Sequence, residues 1–490
     1  MTAGLPGMNF ITDVLERYPA SKPALVALSD DGERNLWHMG ELGARAAGLS
    51  GAMAARGVRR GDVVMTLVGN RVEWVLAMLA CWRMGAIALP CSTQLRSADL
   101  EHRIAAANPG LCVGEEEPLA EMPGGVECMT MADVASALDE DRPQEIPMEV
   151  ASLDRCDPAL VVFTSGTTGQ PRAALHTTGY LFGQRTQAEH WLGARDGDLV
   201  WVTTATGWSK SARNVFVAPW LMGAAALVSD ARFDPGERLA VCEHEGVNVL
   251  CQAPTEYRML ARTDQLRPLP DLRRAVSAGE PLGADVVDRF RRAWGLEISD
   301  GYGQTETGHV SGNLVGREVR EGSMGQPLPG IETRIADDEL QVRAATSPTF
   351  FSRYLDAGGP PPLIDEQWWP TGDLVREDTD GYLFHEGRRD DLILSSGYRI
   401  GPFEVESALL SHPAVAEAAA LGAPHPERGS VVKAVVVLNH SARASDELAR
   451  ELQDHVKAVT APYKFPRIVE FADSLPRTAS GKLRRAALRG

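Results

Sequence analysis

From about residue 60 the apolar positions alternate between two periods. Asp62–Leu67 (DVVMTL) is a short apolar run that predicts a buried strand, Val72–Met84 repeats its apolar residues at helical spacing, and Ala86–Pro90 predicts the next strand. Strand, helix, strand at this spacing is a βαβ unit. Strands are predicted again at Ala159–Phe163, Ala224–Ser229, Val247–Gln252 and Leu272–Ser277. The expected fold class is α/β: a large N-terminal domain of mostly parallel sheets layered with helices. Residues 355–363 (LDAGGPPPL) form a Pro/Gly-rich loop. A boundary is placed at the end of 1–389. Beyond it, Pro402–Ser411 and Asp446–Thr460 predict helices and Val431–Leu438 a strand. Residues 390–490 therefore make a small α+β domain.

Composition narrows the class. A chain of 490 residues, 44% hydrophobic and 23% charged, supports a sizeable core. No apolar run approaches the roughly 20 residues of a membrane span. The N-terminus (MTAGLPG) has no basic segment followed by a long apolar one. Seven scattered cysteines with no C-x-x-C spacing fit free thiols in a reducing cytoplasm. The net charge of −17 argues against a nucleic-acid binder. That charge is uneven: residues 387–490 carry +3 and the rest −20. A basic segment on an acidic body suggests a part that handles anions.

Candidate chemistry starts at Thr164-Ser165-Gly166-Thr167-Thr168-Gly169-Gln170-Pro171-Arg172, which follows the apolar stretch LVVF. Glycines let backbone N–H groups approach phosphate oxygens, hydroxyls donate to them, and Arg172 neutralises charge. The Walker A pattern is absent. Further blocks follow: Ser277-Ala278-Gly279-Glu280-Pro281, Gly301-Tyr302-Gly303-Gln304-Thr305-Glu306-Thr307, Thr371-Gly372-Asp373, Gly387-Arg388-Arg389-Asp390-Asp391, Ser396-Gly397-Tyr398-Arg399-Ile400-Gly401-Pro402 and Leu475-Pro476-Arg477-Thr478-Ala479-Ser480-Gly481-Lys482. In this order, over residues 160–490, they resemble the adenylate-forming superfamily of acyl-CoA synthetases, adenylation domains and luciferases. Thr206-Gly207-Trp208, Tyr398–Ser407 and Ala461–Arg467 look most like the medium-chain acyl-CoA synthetases.

The resemblance implies a two-step ligase. A carboxylic acid attacks ATP to give acyl-AMP and pyrophosphate; CoA then takes the acyl group and AMP leaves. It implies a set of roles as well. Thr305 hydrogen-bonds the α-phosphate, and Glu306 ligates Mg²⁺. Asp300, Gly301 and Tyr302, with Gly279 and Glu280, line the adenine slot, and Pro281, Gly303 and Gln304 are further ATP-binding residues. Asp373 and Arg388 hold the ribose. Lys482 contacts the carboxylate and α-phosphate, and Arg399 contacts phosphate or substrate. Only six lysines stand against 43 arginines, so a Lys at this position stands out. Asp390 is the expected hinge of a two-pose lid. Ser396, Gly397, Tyr398, Arg428, Lys457 and Arg467 are the expected CoA contacts. Trp208, Gly303, His309 and Val310 line the acyl pocket. Acetate-specific relatives carry Trp at the place of Gly303, so a deeper pocket is expected here, for a short-to-medium-chain or aromatic monocarboxylic acid. Lys210 is the cation considered for a second acid group. ATP, Mg²⁺ and CoA are the expected co-substrates and cofactors. A carrier-protein thiol in place of CoA is the alternative acceptor, and a homodimer stays open.

Three departures from the family pattern stand out. Arg172 replaces a usual Lys, Ala205 replaces an Asp before Thr-Gly-Trp, and the chain is short between Ile335 and Trp368.

Overall fold

The computed structural model describes residues 7–29, 32–139, 149–164, 171–279, 282, 284–357, 361–395, 398–425, 429–439, 442–477 and 483–488. Contacts divide the chain into two compact units. The first comprises residues up to 164, 171–332 and 342–369; the second comprises 333–341 and 370–490. This division falls earlier than 389/390 because the antiparallel strands Trp368–Glu377 and Leu383–Arg388 belong to one four-stranded sheet with Thr333–Ala336 and Glu339–Arg343.

Two sheets build the first unit. The larger runs Gln326–Pro327, Gly308–Gly312, Ile298–Gln304, Arg274–Ala278, Val249–Gln252, Leu199–Val202, Ala225–Ser229, Pro23–Leu28, Arg34–His38. Its centre is parallel and its two margins antiparallel. The seven-stranded sheet runs Arg353–Tyr354, Arg172–Thr177, Pro158–Thr164, Ile87–Pro90, Val63–Leu67, Leu111–Gly114, Glu127–Thr130. It is parallel from Pro158–Thr164 onward. Parallel strands need covering on both faces, and the helix Val72–Met84 shows the consequence. It is apolar nearly all round and almost wholly buried, and Gly85, at a φ of 75°, ends it. Trp74 and Trp82 from this helix pack on Phe216, which in turn meets Trp220. Each such fully buried side chain contributes about 1.5–3 kcal/mol relative to exposure. All seven cysteines are free thiols.

The second unit contains a five-stranded sheet. Gly429–Leu438 pairs antiparallel with Val415–His425 and Ile393–Ser395, and parallel with Ile468–Phe471. Helices Pro402–Leu410 and Asp446–Val459 pack their apolar sides on it through Leu409, Leu452 and Val456. Ser445 caps the second helix, its hydroxyl accepting from the Leu448 N–H at 3.1 Å. The strand Val415–His425 was not anticipated. Its run AEAAALGAP is poor in β-formers, and the long ladder to Val431–Leu438 decides its state.

Candidate active site

The strands Pro158–Thr164 and Arg172–Thr177 pair antiparallel, with Thr164 opposite Arg172. They hold the two ends of the predicted phosphate loop. Ser165, Gly166, Thr167, Thr168 and Gly169 lie outside the described residues, as do Glu280, Pro281, Ser396, Gly397, Arg428, Lys482 and the side chain of Arg399. The Arg172 guanidinium lies 3.5 Å over the ring of Tyr354, and its Nε is 3.7 Å from Asp356. The Tyr354 hydroxyl donates to Glu306 Oε1 at 2.6 Å. Burial and the facing carboxylate push the Tyr354 phenol far above its ordinary range, so it stays a donor at any working pH. The Glu306 backbone is anchored too, its carbonyl accepting from the Phe351 N–H at 2.8 Å. Two hydroxyls, Ser347 and Thr349, donate to the Thr307 carbonyl. Thr305 and Glu306 therefore sit on a turn fastened by the segment 347–354. Gln304 accepts from Trp369 Nε1 at 3.0 Å.

A Mg²⁺ site can be tested against these donors. Among the described residues no three His, Cys, Asp or Glu side chains group to hold a metal. A single hard carboxylate, Glu306, completed by phosphate oxygens and water, fits Mg²⁺ carried by a nucleotide.

Asp300 opens the next part of the site. It stands on Ile298–Gln304, opposite Ser277 of the neighbouring parallel strand. Its carboxylate accepts from the Gly301 N–H at 2.9 Å. Burial pushes its carboxyl up to about 7, against that hydrogen bond and the charge of Lys210. Lys210 donates to the Ala278 carbonyl. Gly279 follows at a φ of 111°, a conformation suited to glycine. Tyr302 is half-buried and packs against the main core. Ligand sites of parallel sheets lie at these carboxyl ends.

The expected acyl-pocket residues are distributed unequally. Gly303 pairs with His309 across a bulged hairpin. A Cβ at Gly303 would lie 2.0 Å from the Gly308 carbonyl oxygen, so the hairpin backbone itself excludes a side chain there. His309 is buried and stacks on Trp191 at 3.9 Å. A Cβ at Gly301 would meet His309 Nε2 at 2.5 Å, so this glycine makes room for the imidazole. Val310 is fully buried in the main core. Trp208 is half-buried and starts the helix Ser209–Asn214, after Gly207 at a φ of 87°.

In the second unit, Asp373 and Arg388 are register partners. Asp373 is buried, and its Oδ1 accepts from Arg388 Nη1 at 3.3 Å and lies 3.3 Å from His385 Nε2. Arg388 also donates to the Thr371 carbonyl. Glu339 accepts from the Gly372 N–H at 2.6 Å and lies 3.2 Å from Arg389. The carboxylate is thus fixed from both sides. Asp390 lies 3.9 Å from Arg388, while the adjacent Asp391 is buried against Arg485. Arg485 holds both oxygens of Glu406 at 2.7 Å. Tyr398 is 51% exposed and stacks on Tyr463 at 4.3 Å. Lys457 and Arg467 both lie over the ring of Phe465, at 4.4 and 4.9 Å. They form a basic spot from residues ten apart.

Sequence reading missed Tyr354, Glu339, His385 and Trp191. The first three carry no motif of their own: they fall beside the quoted blocks only through strand pairing. An aromatic residue in the short segment between Ile335 and Trp368 was the one available signal.

The AMP-binding enzyme family matches residues 11–348, and the AMP-binding enzyme C-terminal domain matches residues 404–482. A Bacillus subtilis protein described as an uncharacterized acyl-CoA ligase, YtcI, is 37% identical over 508 residues, covering 98% of this chain and 95% of its own length. The mouse mitochondrial acyl-coenzyme A synthetase ACSM3 is 36% identical over 522 residues, covering 98% of this chain and 90% of its own. Among solved structures, the anthranilate CoA ligase AuaEII in complex with anthranoyl-AMP matches with a TM-score of 0.87 at 27% identity, over 99% of this chain and 97% of its own. A Brucella canis acyl-CoA synthetase matches with a TM-score of 0.75 at 32% identity, over 99% and 95%. With ordered motifs, a matching fold and relatives aligned end to end, the chain belongs to the acyl-CoA synthetases of the AMP-binding enzyme family.

Proposed function

We propose that this acyl-CoA synthetase runs both half-reactions on the residues described above. The observation that carries the reading is the Glu306 carboxylate, held by the Tyr354 hydroxyl beside the stacked Arg172. In the first half, an oxygen of the acid forms a bond to the α-phosphorus while the bond to pyrophosphate breaks. Phosphoryl chemistry of this kind depends on positioning and charge neutralisation. Arg172 and the hydroxyl-rich loop hold the phosphates, Thr305 hydrogen-bonds the α-phosphate, and Lys482 neutralises developing charge. Glu306 would hold Mg²⁺, which when bound supplies further neutralisation of the triphosphate. Asp373, oriented by Arg388, accepts from the ribose hydroxyls.

In the second half, the CoA thiolate attacks the acyl carbon and the bond to AMP breaks. The Lys457–Arg467 spot suits CoA phosphates, and Tyr398 suits the pantetheine arm. Asp390 is the hinge between the two halves of the cycle. No described helix is long and apolar enough to cross a membrane.

The test is acid-dependent pyrophosphate release, with and without CoA, across a panel of acids. Turnover that requires CoA and yields AMP is the expected result. Single-turnover adenylation indifferent to CoA would point to a carrier-protein thiol instead. Lys482→Ala should cripple adenylation yet spare thioester formation from supplied acyl-adenylate; equal loss in both halves would sink the two-pose role.

A further inference from the structure

Arg213, on the helix that Trp208 starts, takes no part in the function proposed above. It lies on the helix Ser209–Asn214 and is 5% exposed. Its Nε and Nη1 have no hydrogen-bond partner among the described residues. Other buried polar atoms share this condition among the described residues: both ring nitrogens of His309 and of His176, the Tyr180 hydroxyl, and Asn214 Nδ2; the Arg213 charge acts on both imidazoles. His176 stacks on Tyr180 at 4.1 Å, as His309 stacks on Trp191 at 3.9 Å. Gln187 Nε2 donates to Asn214 Oδ1 at 2.5 Å.

Such atoms are costly unless something satisfies them, and a buried charge more so. Among the described residues no carboxylate hydrogen-bonds or ion-pairs with Arg213, and the Asp300 carboxyl, pushed up to about 7 against the charge of Lys210, is only partly ionised near neutral pH. Burial and the nearby Arg213 push both imidazoles far below their usual range, His176 to about 3, so both are neutral. Lys210 adds positive charge to the same neighbourhood. The Glu256 carboxylate is taken by Arg238 and Thr203. Water would satisfy hydrogen bonds but not the charge. The cluster adjoins the expected acyl site directly, because His309 packs on Gly301 and pairs through its backbone with Gly303.

We propose that Arg213, with His309 and His176, forms a subsite for a second carboxylate at the far end of the acid, so that the substrate is a dicarboxylic acid. The proposal rests on the acyl-CoA synthetase reading and adds a second acid group to the monocarboxylate expected from sequence. One carboxylate is adenylated; the other stays ionised on Arg213 and is chemically unchanged. A site built around a buried polar group rejects analogues lacking the partner far more strongly than an apolar wall rejects a missing methylene.

The experiment compares kcat/KM for chain-matched pairs: succinate with butyrate, glutarate with valerate, adipate with hexanoate. Wild-type enzyme should favour at least one dicarboxylate over its partner by on the order of a hundredfold. Arg213→Met should cut that ratio at least tenfold, and Arg213→Lys should retain part of it. Wild-type preference for the monocarboxylate in every pair overturns the subsite while leaving the synthetase reading intact. A ratio unchanged in folded Arg213→Met does the same. If no acid of any kind is activated, the synthetase reading fails, and calorimetric binding of the three dicarboxylates then decides the subsite. Binding to wild type that is lost in Arg213→Met upholds it; absence of binding overturns it.

Discussion

Tyr354→Phe removes one oxygen from the site and little else. The hydroxyl is the donor to Glu306 Oε1 at 2.6 Å, a short charge-assisted hydrogen bond. The ring remains to carry Arg172 at 3.5 Å and to pack on Phe351 at 4.7 Å. A hydrogen bond to a charged group contributes about 1.5–3 kcal/mol. If Glu306 must be held in one orientation to serve the nucleotide, that energy appears in the adenylation barrier. At one decade per roughly 1.4 kcal/mol, kcat/KM for ATP should fall about ten- to a hundredfold. Half-saturation by Mg²⁺ should move to higher concentration. The midpoint of thermal unfolding should move little, since the apolar contacts stay. The assay is initial-rate pyrophosphate release against ATP and against Mg²⁺, with unfolding followed in parallel. A kcat/KM within twofold of wild type, at unchanged Mg²⁺ dependence, would refute the claim that Tyr354 positions Glu306.

Three further outcomes are expected. The Asp300 carboxyl, pushed up to about 7, keeps in the folded state a proton that the unfolded chain releases near pH 4, so this group's contribution to stability is lost as pH rises between those values. Asp300→Asn cannot titrate; its stability relative to wild type in urea should therefore grow across that window and level off above it, and a flat difference would contradict the burial argument. Asp373→Asn removes the charge that faces Arg388 and His385, and should lower kcat/KM for ATP about ten- to a hundredfold while affecting 2′-deoxy-ATP far less; equal losses on both nucleotides would separate Asp373 from the ribose. Gly303→Ala places a Cβ 2.0 Å from the Gly308 carbonyl oxygen, so it should lower the unfolding midpoint and depress turnover of every acid alike. Selective loss of the longer acids at unchanged stability would instead make Gly303 a determinant of pocket depth.

Much of the molecule is readable from the chain alone because the information is local. Alternating periods located Val63–Leu67, Val72–Met84 and Ile87–Pro90 within a residue or so, and the parallel sheets follow from that alternation. The chemistry is local too. The proposed phosphate loop, the Gln304-Thr305-Glu306 turn and the Thr371-Gly372-Asp373 turn are each contiguous stretches, so each leaves a contiguous signature. What tertiary structure decided is which distant residues face those turns. Tyr354 reaches Glu306 from 48 positions away, and His385 reaches Asp373 because the two antiparallel strands carrying them lie in one sheet. Val415–His425 is a strand only because Gly429–Leu438 pairs with it. Arg213 on its own reads as one arginine among 43; that no acidic partner meets it among the described residues emerges only once the helix Ser209–Asn214 is buried. Motifs record what a turn must be made of, whereas charge balance in a buried cluster depends on every element that packs around it, and no single stretch of sequence contains that sum.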